Sequence, residues 1–378
     1  MLNGWQEAYK ELTGFIAEHS EIEIGPSRVR LPDNIRPEFY RVFNDVRRAF
    51  IDEKFPSLIS EASNLNQNYI KAEQEIIELL KLDNVSMEAD LGRFLHDPIE
   101  QLIRGLFDPL FNLLKGRINV ETFEATALQN MEASFRLLYQ LGYEKWVVLS
   151  LIKLLEADES FQVPLPKLSL YDAHKSGGSI EERVHNPEGS KSLLFNYDAN
   201  DAIMIPDCIV HSAKISRYIA VRSQIYRAFA VVADVSEKRE WYSIDSVVAL
   251  ALGTTLIYVA DNPDEISLVA DSNKICRPDL IIECREQSKW LANEGLEKVK
   301  LQHNSLKPTL GTYIVTREPV PEQILKEPVP GQVLHESATE QEQKPSQEPE
   351  SKKREEDIHI LTVGFDQSKL ESIISALV

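Results

Sequence analysis

The sequence predicts an α+β or α/β chain. It divides into a helical N-terminal domain (residues 1–160), a linker (161–190), a mixed-sheet α/β domain (191–316), a disordered tether (317–356) and a strand-helix unit that docks at the C-terminus (357–378). Three observations predict this. Apolar residues recur at spacings of three and four up to residue 157 and at a spacing of two beyond 190, the periods of a helix and of a strand. Between these regions Pro164, Pro166, Gly177, Gly178, Pro187 and Gly189 interrupt both patterns. After Thr316 the segment Glu318-Pro319-Val320-Pro321-Glu322-Gln323-Ile324-Leu325 recurs nine residues later as Glu327 to Leu334, within an aromatic-free stretch rich in Glu, Gln, Ser, Lys and Pro. Closely spaced prolines hold such a stretch extended, and its composition cannot build a core.

Within the first domain the clearest helix start is Asp97-Pro98-Ile99-Glu100. Asp97 can cap free amides, Pro98 loses nothing at the first helical position, and Glu100 is placed to close a capping box. Asp108-Pro109 repeats the device, and the apolar runs Ile99, Leu102, Ile103, Leu106 and then Leu110, Phe111, Leu114 follow. Further helices are expected over 34–52, 57–81, 120–141 and 143–157, giving a bundle of about six. In the second domain, strands are expected over 193–197, 202–210, 218–221, 254–260, 266–270, 280–284 and 313–316, with helices over 223–237, 244–252 and 287–301. Ser212 to Arg217 and Ser272 to Arg277 share S-x-K-I-x-R, which fits either a duplication within the domain or two unrelated turns. At the C-terminus, Ile358 to Val363 reads as a strand, and Asp366 with Leu370, Ile373, Ile374 and Leu377 reads as a capped helix. These are too few residues to fold alone.

Composition removes several classes of function. With 378 residues, 43% of them hydrophobic, the chain can bury a substantial core. Its formal charge of −19 argues against a protein whose affinity comes from neutralising nucleic-acid phosphates. The deficit is uneven: residues 1–160 carry 27 acids and 17 bases, whereas 191–316 carry 16 and 14, so an anionic partner is tolerated best in the second domain. No run approaches the roughly 18 apolar residues of a spanning helix and no secretory leader is evident, so a cytoplasmic protein without a membrane partner is expected. Cys208, Cys276 and Cys284 lack a C-x-x-C pair and suggest neither disulfides nor structural zinc. The scattered histidines, His96, His211 and His303 among them, read as ordinary side chains. Phosphate-loop, dinucleotide, zincin and nucleophile-elbow motifs are absent. The basic and aromatic run Arg217, Tyr218, Arg222, Tyr226, Arg227 could pair phosphates and stack bases, but reads better as a strand-to-helix segment with solvated arginines.

One constellation remains. The order helix (243–252), strand (254–260), strand (266–270) ending at Asp271, strand (278–285), helix (288–300) and strand (313–316) resembles the common core of the PD-(D/E)XK, or restriction-endonuclease-like, nucleases. The resemblance covers about 75 residues. It implies that an acid on the second strand and an E-x-K on the third meet around a divalent metal, here Asp271 and Glu283 as ligands of Mg²⁺, with Asp279 nearby. Arg285 stands where the lysine would, and Lys289 or Lys274 is the alternative source of an ammonium. On this reading Glu283, Arg285 and Lys289 are the catalytic residues. Alternation places Glu283 and Arg285 on one face of their strand, and hard carboxylate oxygens suit Mg²⁺. An earlier Pro206-Asp207 followed by Ala220-Val221-Arg222 has lost the glutamate. The competing reading is that Asp271 sits in a polar turn while Glu283 and Arg285 form an ion pair on an exposed sheet face. Two functions follow: a metal-dependent phosphodiesterase or its degenerate, inactive relative, and a non-enzymatic interaction protein that binds a protein partner through its helical domain and tether.

The tether analysis generates a direct expectation. Limited proteolysis of the full chain should cut first within 317–356; protection of that stretch alongside the domains would contradict it.

Overall fold

The computed structural model describes residues 4–163, 187–195, 205–223, 241–243, 254–267, 274–291, 295–321 and 357–378. Its first elements are helix α1 (Trp5–Glu18), strands β1 (Glu23–Ile24) and β2 (Val29–Arg30), helices α2 (Arg36–Lys54) and α3 (Pro56–Leu80), and strand β3 (Asn84–Met87). Helices α4 (Ala89–His96), α5 (Pro98–Gly105), α6 (Phe107–Leu114) and α7 (Val120–Leu154) follow. Then come strands β4 (Ala157–Gln162), β5 (Glu188–Gly189), β6 (Ser192–Phe195), β7 (Cys208–Ser212), β8 (Arg217–Ser223) and β9 (Trp241–Ser243). The last elements are β10 (Thr254–Ala260), β11 (Lys274–Cys276), β12 (Leu280–Arg285), helix α8 (Leu296–Leu306), β13 (Thr312–Thr316), β14 (Ile358–Thr362) and helix α9 (Glu371–Leu377). The chain is α+β, helices first and a mixed sheet after. It packs as two compact units, residues 1–71 with 89–142, and residues 72–88 with 143–378.

The first unit is helical because its apolar stripes have one another to bury against. Trp5 of α1 meets Phe50 of α2 and Phe123 of α7 at ring separations of 5.3 and 5.4 Å, and all three are buried. The start of α5 is as expected: Asp97 accepts the Glu100 amide at 3.0 Å and Pro98 follows it. Asp108, by contrast, does not cap. Helix α6 begins at Phe107 behind Leu106, so Asp108 lies inside its first turn, because a buried Leu106 and Leu110 hold the chain one residue ahead of the polar signal. The two helices expected over 120–157 are a single 35-residue helix. Gly142 does not break it; the missing side chain admits Leu65 and Leu95, both fully buried.

The second unit is built on an eight-stranded sheet of order β14-β13-β12-β10-β8-β7-β4-β5. Neighbours from β5 to β12 are antiparallel, and β12, β13 and β14 are parallel to one another. Strand β4 starts before residue 160 and ends past 161, so helix gives way to sheet inside the expected helical domain. One sheet face carries Ile219, Val221, Ile257 and Ile282 against Val148 and Leu151 of α7, Leu155 just after it, and Ile373 and Leu377 of α9. On the other face, α8 buries Val299 against Ile314, with Ile358, Ile360 and Val320 packed beside them. The docked strand-helix unit at the C-terminus is therefore β14 with α9. Gly311, at a φ of +100°, lets the Asp357 carbonyl come within 2.6 Å of where a Cβ would stand, which brings β14 onto β13.

Several expectations shift. Residues 263–266 form a 3-10 turn, so Ile266 is not in a strand, and 268–270 of the strand expected over 266–270 lie outside the described residues; β12 is partnered by β10. The first S-x-K-I-x-R segment is the turn between β7 and β8, whereas the second contains strand β11, paired with β9. Residues 317–321 of the expected tether run along the second unit with Val320 on its core; 322–356 lie outside the described residues, as do 164–186 of the linker, all but Ser223 of the helix expected over 223–237, and the helix expected over 244–252. Among the described residues no helix is long and apolar enough to cross a membrane.

Two glycines in helices make opposite forecasts. A Cβ at Gly142 would lie 2.7 Å from Leu95 and 3.0 Å from Leu65, so Gly142→Ala should destabilise by about 1–3 kcal/mol despite its better helix propensity. Gly14 of α1 has nothing within 4 Å, and Gly14→Ala should stabilise by about 0.5–1 kcal/mol. Thermal melts of the two variants check both signs.

Candidate functional site

Antiparallel pairing brings the end of β8, the start of β10 and the end of β12 to one end of the sheet, together with Asp207 just before β7. That end is charged and dry. Glu283 and Glu144 are 0% exposed, Lys145 0%, Arg222 3%, Asp207 6% and Arg285 8%. Three acids and three bases share it, and their charges sum to zero.

Each charge is held by named partners. Arg222 donates to Asp207 Oδ1 at 2.7 Å, while Asp207 Oδ2 accepts from the Ser223 amide at 2.8 Å and from its hydroxyl at 2.6 Å. Lys145 donates to Ser223 Oγ at 2.7 Å and lies over the Phe195 ring at 4.7 Å. Its neighbour Glu144 accepts from Thr255 Oγ1 at 2.8 Å. On the next strand Thr254 donates to Glu283 Oε2 at 2.5 Å, Arg285 forms an ion pair with Glu283, and its guanidinium lies 3.8 Å from the centre of the Trp290 ring. Further along, Arg317 pairs with Glu286 at 3.7 Å. Burial of ions at this density requires such pairing, because an uncompensated buried charge costs several kcal/mol.

The electrostatics follow from the burial. Loss of water raises the Glu283 pKa from 4.5 to about 7, against the opposing pull of Arg285 and Thr254 and with added repulsion from Glu144. Glu144 is raised for the same first reason, with Lys145 opposing. Burial also lifts the Cys208 and Cys284 thiols, which removes them as nucleophiles. His303 is buried against Thr312 at 2.9 Å and His211 meets Asp158 at 2.7 Å; both take part in local polar contacts.

The structure thus brings Glu283 and Arg285 together, as alternation requires, but inside the sheet and not on an exposed face. Strands β10 and β13 flank β12 on both sides and its residues are buried, so Glu283 is cut off from solvent and Arg285 keeps only a small exposed fraction. Lys289 is exposed on the segment after β12. Asp271 lies outside the described residues, and the side chain of Lys274 is likewise not described. Asp279 sits at the start of β12, where it accepts the Val259 amide at 2.7 Å and the Thr309 hydroxyl at 2.8 Å; it closes a turn some four residues, about 13 Å, from Glu283. The residue across from Glu283 is Thr254, its carboxylate already faces a hydroxyl and a guanidinium, and among the described residues no three His, Cys, Asp or Glu side chains converge as ligands.

Sequence reasoning missed Glu144, Lys145 and the burial of Arg222. The first two had a signal: adjacent charges inside Leu141 to Ile152, a stretch otherwise apolar apart from Ser150, leave no polar helix face to hold them. Arg222 and Asp207 were singled out together as the earlier copy of the pattern, but nothing local to either records that they are buried as a pair fifteen residues apart. Comparison with protein-family models, with curated proteins and with solved structures finds no match for the chain.

The titration of Glu283 has a defined sign. A carboxyl raised above its unfolded value binds its proton more tightly when folded, so its contribution is present below 4.5 and is lost as pH rises towards 7. The melting temperature should fall across that window, and Glu283→Gln should flatten the fall. Arg285→Met removes the cation paired with Glu283, so it should cost about 3–5 kcal/mol at pH 8 and distinctly less at pH 5, where the carboxyl is protonated. Melts of both variants from pH 4.5 to 8 measure this.

Proposed function

We propose that this chain is a non-enzymatic relative of the restriction-endonuclease-like nucleases, one in which a self-neutralised ion-pair layer stands where the metal site would be, and that it works by binding a protein partner. The observation that carries this reading is the register of β10 against β12. The family resemblance puts its acid at Asp271, which lies outside the described residues, while across from the E-x-K glutamate the sheet sets a neutral side chain. Thr254 holds the position paired with Glu283, and it donates a hydrogen bond to the carboxylate. At the lysine position Arg285 keeps its proton at any working pH and so cannot serve as a general base.

Two further observations favour a protein partner. The formal charge of −19 repels phosphate backbones, and the compact basic residues at the charged end of the sheet are already paired to acids. In the first unit a groove lined by Val29, Leu31, Tyr40, Phe107 and Phe111, with Arg36 and Lys115 on its margin, leaves Phe107 37% exposed. Aromatic side chains that keep one face in water are common anchors at protein interfaces.

The test is a metal titration joined to a cleavage assay. Mg²⁺ or Mn²⁺ should leave the melting temperature unchanged, and single- and double-stranded DNA and RNA should remain intact. Metal-dependent cleavage that disappears in Glu283→Gln and in Asp271→Asn would replace this reading with a phosphodiesterase.

A further inference from the structure

We propose that β14 is a docking edge for β14 of a second copy, so that the eight-stranded sheet continues antiparallel across a twofold axis. The inference is independent of the charged layer. Among the described residues β14 has β13 as its one strand neighbour, in an unbroken parallel register from Thr312 and Ile358 to Thr316 and Thr362. The Asp357 carbonyl accepts the Thr312 amide at 2.8 Å and the Val363 amide donates to the Thr316 carbonyl at 2.8 Å. Backbone groups of alternate residues point to opposite sides of a strand, so His359 and Leu361 face β13 while Ile358, Ile360 and Thr362 direct their N–H and C=O groups away from it.

Edges of this kind are normally protected by short length, lysine, proline or a bulge. The opposite edge is: β5 is two residues, Glu188 and Gly189, and the neighbouring β4 carries a register shift between Ala157 and Glu159. Strand β14 has none of these devices. It is five residues of Ile-His-Ile-Leu-Thr without a charge or a proline.

A second copy fits that edge by symmetry. Antiparallel pairing centred on Ile360 sets Ile360 beside its own equivalent and Ile358 beside Thr362 of the second copy. These side chains lie on the face where Ile358 and Ile360 already pack, only partly buried, against Leu291, Val299 and Ile314. The apolar surface under α8 therefore continues from one copy to the next, and no like charges within the strands oppose the pairing. A twofold closes the assembly, whereas a parallel addition would leave a new edge open.

The full chain should sediment and scatter light as a species of twice its 43.0 kDa at micromolar concentration. Ile360→Lys should return it to one chain with an unchanged far-ultraviolet circular dichroism spectrum. A directly opposed, hydrogen-bonded residue pair has Cα atoms about 5.5 Å apart, within disulfide reach, so Ile360→Cys should give a covalent dimer on mild oxidation. Wild type should not, because Cys208, Cys276 and Cys284 are buried. The cross-link also decides the matter should the lysine variant fail to fold. A monomeric wild type, or a dimer that survives Ile360→Lys while Ile360→Cys stays uncross-linked, would overturn the proposal.

Discussion

A carboxylate that leaves water must take a compensating charge or a proton with it, and much of the second unit is arranged around that constraint. Glu283 is fully buried on the strand that lies between the antiparallel and parallel halves of the sheet. Arg285, two residues on, reaches it because strand alternation returns the side chain to the same face, and Trp290 covers the outer side of the guanidinium. On the adjoining strands, Thr254, Thr255 and Ser223 supply hydroxyls where apolar residues would leave charged atoms without hydrogen bonds. The charged helix pair Glu144 and Lys145 enters from the other side of the sheet and closes the layer through Ser223 and Asp207. Removing one member therefore strands another, so the layer behaves as a unit.

The same arrangement defines what the site can do. A metal-dependent nuclease needs an excess of carboxylate oxygens that a cation then neutralises. Here the protein's own guanidinium and ammonium groups already supply the positive charge, and the register opposite Glu283 offers a hydroxyl. Chemistry by a buried glutamate with a pKa near 7 would also need a path for substrate, whereas Glu283 lies within packed sheet and helix.

Local signals were legible wherever burial and sequence neighbourhood agreed. The apolar period marked α2, α3 and the strands β8, β10, β12 and β13 to within two residues, and the Asp97-Pro98 start of α5 was readable because its cap lies three residues from the amide it serves. Signals failed where burial outweighed a polar cue. Asp108 carries a cap signal, yet burial of Leu106 and Leu110 set the helix start. Residues 263–266 alternate too little to resist a turn, so the 3-10 helix reaches Ile266, where the expected strand begins.

By itself the sequence determined the α+β class, the change of period near residue 160, the pairing of Glu283 with Arg285 on one strand face and the need for the last twenty residues to dock. These follow from interactions between residues a few positions apart, which the local pattern records. Only the tertiary structure decided that the pair is buried, that Thr254 and not an acid stands opposite Glu283, that Glu144, Lys145, Asp207 and Arg222 join it, and that β14 ends the sheet. Those outcomes depend on strand order and register, which bring together residues up to 139 positions apart, such as Glu144 and Glu283. A one-residue change of register would exchange every facing side chain, and no local spacing records which register is taken.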